Sequence, residues 1–356
     1  MADRPCFAPA VARGLALAVA AWSLLSAPAD AETMDQLHAL ARQERNLVVW
    51  AGGPAAGHEA ATRAFEQRYP GIPVAVTAGF SNVLDRKIEE QLVSRRIEAD
   101  VVILQTVQDL VRWNNGGHLV QFKPEGFEAV GTRFKQSDGA WVAISTNPIF
   151  YGYNTERVRH DAVPASAIDF LRSQFKEHVI SAYPSDDDAT LFAFTSIIRK
   201  YGWGYMSQYM SQKPKFVQGR LAVARSLGSG ESVVSFDATP GTILAVQHAG
   251  GKVALAGPTD DFLPVFFSAE AILKGAPHPN AAKLYVGWLL SKEWQSRAAG
   301  YSSRGDVPAP AGLPPLSNYR LEDRYLEFVS SEDRLADMRK RLESYTGPVT
   351  NAGDVR

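Results

Sequence analysis

The residues able to bind a ligand in this chain are small, polar and widely spaced. Gly53, Ser81, Asn82, Thr106, Ser145, Thr146, Asp188, Thr190, Ser229 and Thr239 stand in polar turns between apolar runs, read as turns joining the carboxyl end of a strand to the start of a helix. Hydroxyls dominate the set. Hydroxyls and backbone N–H groups at helix starts suit a carboxylate, phosphate or other oxyanion, because several hydrogen bonds can converge on it without a full countercharge. The plainer alternative is that each residue caps its own helix. Asp186-Asp187-Asp188 lack the alternating spacing and glycine bend of a calcium loop, and are read as a solvated loop with Asp188 capping the helix that follows. An aspartate that entered a cleft would instead select an amino or cationic group, making the solute zwitterionic. His58 and Glu59 are read as a solvated first helical turn without a matching metal cluster, so no metal site is expected. Phe80, Tyr151 and Tyr183 could cover an organic ring or pack within a lobe.

The elements that must position these residues begin with Asn46–Ala64. Leu47-Val48-Val49-Trp50 has the β-branched content of a buried strand and stops at Gly52-Gly53-Pro54, where helical periodicity takes over. Helix, strand (72–76), helix and strand (99–104) follow, the pattern of parallel strands with right-handed crossovers. Ligands bind at the carboxyl edge of such a sheet. Strands at 141–147 and 149–154 are candidates for the chain leaving this first lobe. A second α/β unit starts near Ala165 with a helix through Phe170, Leu171 and Phe175, a strand at 178–182 and a helix at 189–201. Further helices lie at 203–210 and 217–227, then a strand at 232–236 and a helix opened by Pro240. Strands at 252–256 and 262–273 return the chain and make a two-strand hinge. The tail is helical, at 280–290, 292–299 and in an amphipathic segment over 316–345.

Residues 1–31 form an expected leader: Arg4 and Arg13, an apolar run from Leu15 to Leu25, and a small-x-small end at Ala29-Asp30-Ala31. The run is shorter than the roughly 20 residues of a membrane span. Cleavage before Glu32 would leave about 325 residues, enough for two lobes, and would remove Cys6, the single cysteine of the chain. The chain holds 37 basic and 38 acidic residues for a net charge of −1, with no footprint for nucleic acid or an anionic membrane. Gly52-Gly53-Pro54-Ala55-Ala56-Gly57 falls short of a dinucleotide fingerprint, and GxSxG, HExxH and GxxxxGK[ST] are missing, so neither an enzyme nor a resident cofactor is expected.

Several stretches together resemble the bacterial extracellular solute-binding proteins of family 1, in the branch with ferric-ion, thiamine and sugar-phosphate binding proteins. They are PGIPVAV at 70–76, ADVVIL at 99–104, YGYNTERV at 151–158, YGWGYM at 201–206, SGESVV at 229–234 and KGAPHPNAAKLYVGWLLSKEWQ at 274–295. The resemblance implies two α/β lobes on a hinge that close on one ligand and deliver it to an inner-membrane ABC permease and its ATPase. It also implies a periplasmic, monomeric protein. Expected boundaries are 32–145 with about 256–310 for the first lobe, and 146–255 with about 311–356 for the second. The expected cargo is a small polar, anionic organic solute. Ferric-binding members of the branch carry two adjacent tyrosines at a turn that here reads Asp237-Ala238-Thr239-Pro240-Gly241, and no two tyrosines adjoin anywhere in this chain. A ferric-ion carrier remains the alternative, as does a sensor that presents its solute to a membrane receptor.

Overall fold

The computed structural model describes residue 1, residues 32–298 and residues 300–350. The expected leader, its cleavage point and Cys6 lie at 1–31, outside the described residues except for Met1. Two units separate, Met1–Glu32 and Thr33–Arg356, and the second carries all the elements below. Among the described residues no helix is long and apolar enough to cross a membrane.

The first strand, Leu47–Gly52, buries Leu47, Val49 and Ala51 on alternate positions. It pairs in parallel with Val74–Gly79 on one side and with Val101–Leu104, buried at every position, on the other. The long returning strand Leu263–Ile272 then runs antiparallel to Val101–Leu104 and to Val142–Pro148. The seven-stranded sheet is therefore mixed, completed by Tyr301–Ser302 at one edge and by Leu321–Glu322 beside Leu263–Pro264. A three-stranded antiparallel sheet holds Val234–Ala238, Phe150–Asn154 and Val253–Ala256. A bridge from Val179 to Val234 connects it to the parallel pair Ile180–Ala182 and Lys215–Val217.

Two connections run between the sheets. Val142–Pro148 passes through Ile149 into Phe150–Asn154, and Val253–Ala256 passes through residues 257–262 into Leu263–Ile272. They are joined directly, since the Ile149 N–H donates to the Pro264 carbonyl at 2.8 Å. Glu44, at the end of helix Met34–Glu44, accepts from Asn280 N–H at 3.1 Å and Ala281 N–H at 2.8 Å. A carboxylate thus caps helix Pro279–Leu290.

Two expected helices differ. Phe170 and Phe175 sit on two short 3-10 turns, Ala167–Leu171 and Ser173–Phe175. Both rings are buried, and on one α-helix positions five apart would diverge by roughly 140°. The two turns bring both into one core. The segment over 316–345 is broken by the strand Leu321–Glu322 into helices Tyr325–Val329 and Glu332–Thr346. Glu322 is buried there between Arg199 at 2.5 Å and Arg324 at 2.9 Å.

Candidate functional site

The carboxyl ends of the parallel strands open onto a cavity of about 570 Å³. One wall is built by the starts of helices Ser81–Ser94 and Val107–Asn115, neither of which has a side-chain cap. Ser81 Oγ accepts from the Gln105 N–H at 3.2 Å and links the two helix starts. Beneath it lies Gly52, where an added Cβ would overlap the Ser81 hydroxyl. We expect Gly52→Ala to lower stability by about 1–3 kcal/mol and to weaken ligand capture. Urea unfolding checks the first effect, and an unmoved midpoint would mean that Ser81 swings aside freely.

The opposite wall is the loop before helix Asp188–Tyr201, and a third is helix Glu332–Thr346, through Glu332, Leu335, Ala336 and Arg339. Side chains meet across the cavity. Gln105 Nε2 donates to Asp187 Oδ2 at 3.1 Å, Gln108 Nε2 to Asp188 Oδ2 at 3.2 Å, and Asn82 Nδ2 reaches the Asp186 carbonyl at 3.5 Å. Arg339 pairs with Asp188, and Arg112 approaches Glu332 at 3.9 Å.

The aspartate run is not the solvated loop expected from the sequence. Asp187, rather than Asp188, caps the helix through the Thr190 N–H at 2.7 Å. The same carboxylate takes Arg220 at 2.6 Å. Burial would raise Asp187, but the Arg220 guanidinium, the Thr190 N–H and the Gln105 amide together hold it below the ordinary carboxylate range. Asp186 accepts from Gln218 at 2.9 Å, and Asp188 is buried between Gln108 and Arg339. The three carboxylates thus go to separate partners. Among the described residues no group of three or more His, Cys, Asp or Glu is arranged to hold a metal ion.

Of the residues singled out in the sequence, Ser81, Asn82, Thr106 and Asp188 line this cavity, as does Phe80. The others are placed elsewhere. Gly53 holds a positive φ of 101° and donates to the Gly79 carbonyl at 2.7 Å, closing the turn after the first strand. Ser145 and Thr146 lie within the strand Val142–Pro148, and Thr146 Oγ1 donates to the Ser302 carbonyl at 3.3 Å. Thr190 is fully buried and bonds Asp237 and Arg220. Ser229 ends helix Arg220–Ser229, at the amino side of the next strand, and bonds the Ser226 carbonyl. Thr239 precedes helix Pro240–His248, with its hydroxyl 3.0 Å from that of Thr242. Tyr151 is buried against Asp261 at 2.6 Å, and Tyr183 meets Thr350 at 3.0 Å. His58 bonds the Gly52 carbonyl at 3.0 Å, and burial lowers its pKa.

Sequence reasoning missed Gln105, Gln108, Asp85, Asp109 and Arg339. The crowding of polar residues in Gln105-Thr106-Val107-Gln108-Asp109 at a strand exit was the available signal for three of them. Asp85 and Asp109 line the cavity from near the starts of helices Ser81–Ser94 and Val107–Asn115. Burial, reinforced by the neighbouring Asp85 carboxylate, pushes Asp109 up to about 7 despite Arg112 at 2.8 Å.

Two α/β halves joined by paired crossing segments, with a polar cavity walled from both, define a hinged ligand-binding protein. The chain belongs to the bacterial extracellular solute-binding protein family, whose model matches residues 74–334. It is similar in fold to the iron-bound HitA from Pseudomonas aeruginosa, with a TM-score of 0.68 and 19% identity over 83% of this chain and 99% of that one. It is also similar to the periplasmic binding protein AfuA from Actinobacillus pleuropneumoniae, solved with fructose-6-phosphate, at a TM-score of 0.70 and 19% identity over 85% and 98%. An uncharacterized protein of Haemophilus influenzae is 22% identical over 269 residues, 72% of this chain and 76% of that protein. The fold shared with both solved structures is the one expected from the sequence, and AfuA is named a periplasmic binding protein.

Proposed function

We propose that this chain is the periplasmic solute-binding component of an ABC importer and captures a small polar organic solute in the cavity between its lobes. The carrying observation is the cavity itself: about 570 Å³, reached by strand ends and helix starts from both sides, and spanned by the Gln105–Asp187 and Gln108–Asp188 bonds. Such bonds tie the lobes together on closure and break on opening. The hinge falls at Ile149 and at 257–262, which supports lobe boundaries close to those expected from the sequence. A cleaved leader would deliver the chain to the periplasm, where the lobes dock on a permease served by an ATPase. An anionic part of the solute would face the uncapped helix starts at Ser81 and Val107.

A thermal-shift screen of residues 32–356 against sugar phosphates, carboxylates, amines and ferric citrate tests this reading. A ligand at 100 times its dissociation constant adds about 2.7 kcal/mol, which at this size raises the midpoint by roughly 5 °C. A shift with one organic class supports the proposal. A shift confined to ferric citrate would replace it with the ferric-ion alternative, the cargo named for the HitA structure.

A further inference from the structure

Building on the solute-binding reading, we propose that the Asp85–Asp109 carboxyl pair, together with Gln108 Oε1, is the subsite that recognises a protonated amine or guanidinium group on the solute. The cavity lining carries seven carboxylates, at Asp85, Glu89, Asp109, Asp186, Asp187, Asp188 and Glu332, against three guanidinium groups, at Arg86, Arg112 and Arg339. Charge of that sign repels a simple anion and concentrates a cation.

The carboxylates differ in how far they are already satisfied. Across the cleft, Asp187 and Asp188 are held by Arg220 and Arg339, and Asp186 by Gln218. On the Asp85 helix, Glu89 pairs with Arg112, which also takes one oxygen of Asp109. Arg86 lines the cavity from the same helix, and Glu332 reaches only Arg112, at 3.9 Å. Asp85 accepts from the Arg86 N–H at 2.5 Å, and burial together with the neighbouring Asp85 carboxylate keeps Asp109 raised.

Independent evidence for a donor-bearing ligand comes from unpartnered buried atoms in the same lining. Gln108 Nε2 donates to Asp188, which fixes the amide and leaves Oε1 buried without a donor. A carboxamide oxygen can only accept, so its missing partner is a donor. Ser185 Oγ is also buried and unpartnered. Thr106, 3% exposed, adds a buried hydroxyl to the same lining, and it lowers the Asp109 carboxyl somewhat. An ammonium group supplies N–H donors and a positive charge in one unit. On binding it displaces the proton of Asp109, whose carboxyl is pushed up to about 7, and that proton leaves to solvent, so capture releases a proton near neutral pH and tightens as pH rises.

The test is calorimetric titration of residues 32–356 with agmatine, putrescine and ethanolamine as cationic probes, and with glycerol 3-phosphate and citrate as probes lacking a cation. At least one cationic probe is expected to bind, with affinity rising up to about tenfold per pH unit below pH 7 and levelling off above it. Repeating the titration in buffers of different ionisation enthalpy should show up to about one proton released at pH 6.5 and almost none at pH 8.5. Asp109→Asn and Asp85→Asn should each weaken cationic probes by about tenfold or more and flatten the pH dependence, with folding verified by thermal unfolding. Binding by cation-free probes alone would overturn the subsite while leaving the solute-binding reading intact. So would amine binding without proton release, a readout that needs no variant. If no probe of either kind binds, the amine subsite falls, and the solute-binding reading is decided by the thermal-shift screen.

Discussion

Replacing Arg220 with alanine should destabilise the protein by about 3–5 kcal/mol and lower its thermal midpoint by on the order of 10 °C. Arg220 begins helix Arg220–Ser229 and is buried where elements from several parts of the chain meet. Its guanidinium donates to Asp237 Oδ1 at 2.8 Å, to Asp187 Oδ1 at 2.6 Å and to Thr190 Oγ1 at 2.9 Å. It also stacks 4.9 Å above the Phe266 ring, on the long strand of the seven-stranded sheet. Alanine would leave Asp237, wholly buried, and Asp187 without their countercharge, and an uncompensated buried carboxylate is far more costly than the missing attraction alone. Arg220→Lys should recover part of the loss, because it restores the charge but not the fork that serves both carboxylates at once. Differential scanning calorimetry of the three proteins decides the matter. A midpoint for Arg220→Ala within 2–3 °C of the parent, on the order of 1 kcal/mol, would show that the aspartates find water or another partner.

The pH dependence of this clasp has a definite sign. Asp187 is held below its ordinary range, so its contribution is fully present above the unfolded-state value near 3.9 and is lost as pH falls through the depressed folded value. The parent should therefore lose stability in acid more steeply than Arg220→Ala does.

Glu270 should act in the opposite sense, and Glu270→Gln should become progressively more stable than the parent as pH rises. Glu270 sits in the middle of Leu263–Ile272 with no exposed surface, and neither carboxyl oxygen has a hydrogen-bond partner. Burial raises its pKa well above the ordinary glutamate range, so the folded protein keeps it protonated. The unfolded chain releases that proton near pH 4.3, so the parent loses up to about 1.4 kcal/mol of stability per pH unit from there up to the raised folded value. Glutamine keeps the shape and carries no proton, which removes the slope. Urea unfolding of both proteins at pH 5, 6, 7 and 8 measures the gap. Parallel stability curves would mean that Glu270 is ionised in the folded state and neutralised by a group or solvent not evident in its surroundings. Glu270→Leu should also be more stable than the parent at pH 8, since it leaves no polar atom unsatisfied.

Local order was legible in the sequence because it is written at short range. The β-branched run Leu47-Val48-Val49-Trp50, the four apolar residues of Val101–Leu104 and Pro240 at a helix start each act within a few positions, and each appears as expected. Spaced motifs over most of the chain likewise pointed to the family and to two lobes. The same short range explains the errors over 167–175 and 316–345, where packing of Phe170 and Phe175 and the pairing of Leu321–Glu322 overrode helical periodicity.

The site depended on contacts that no local pattern records. Gln105 meets Asp187 across 82 positions and Arg339 meets Asp188 across 151, so the aspartates became cleft residues only through the return of a distant helix. Asp85 and Asp109 carry no local signal of a role; the parallel strands set their helices side by side, and there burial and the neighbouring Asp85 carboxylate raise Asp109. The amino-acid order determined the strands and most helices, and the binding-protein class. Tertiary structure alone decided which polar side chains face the cavity, because their protonation and pairing depend on the dielectric and the neighbours that folding supplies.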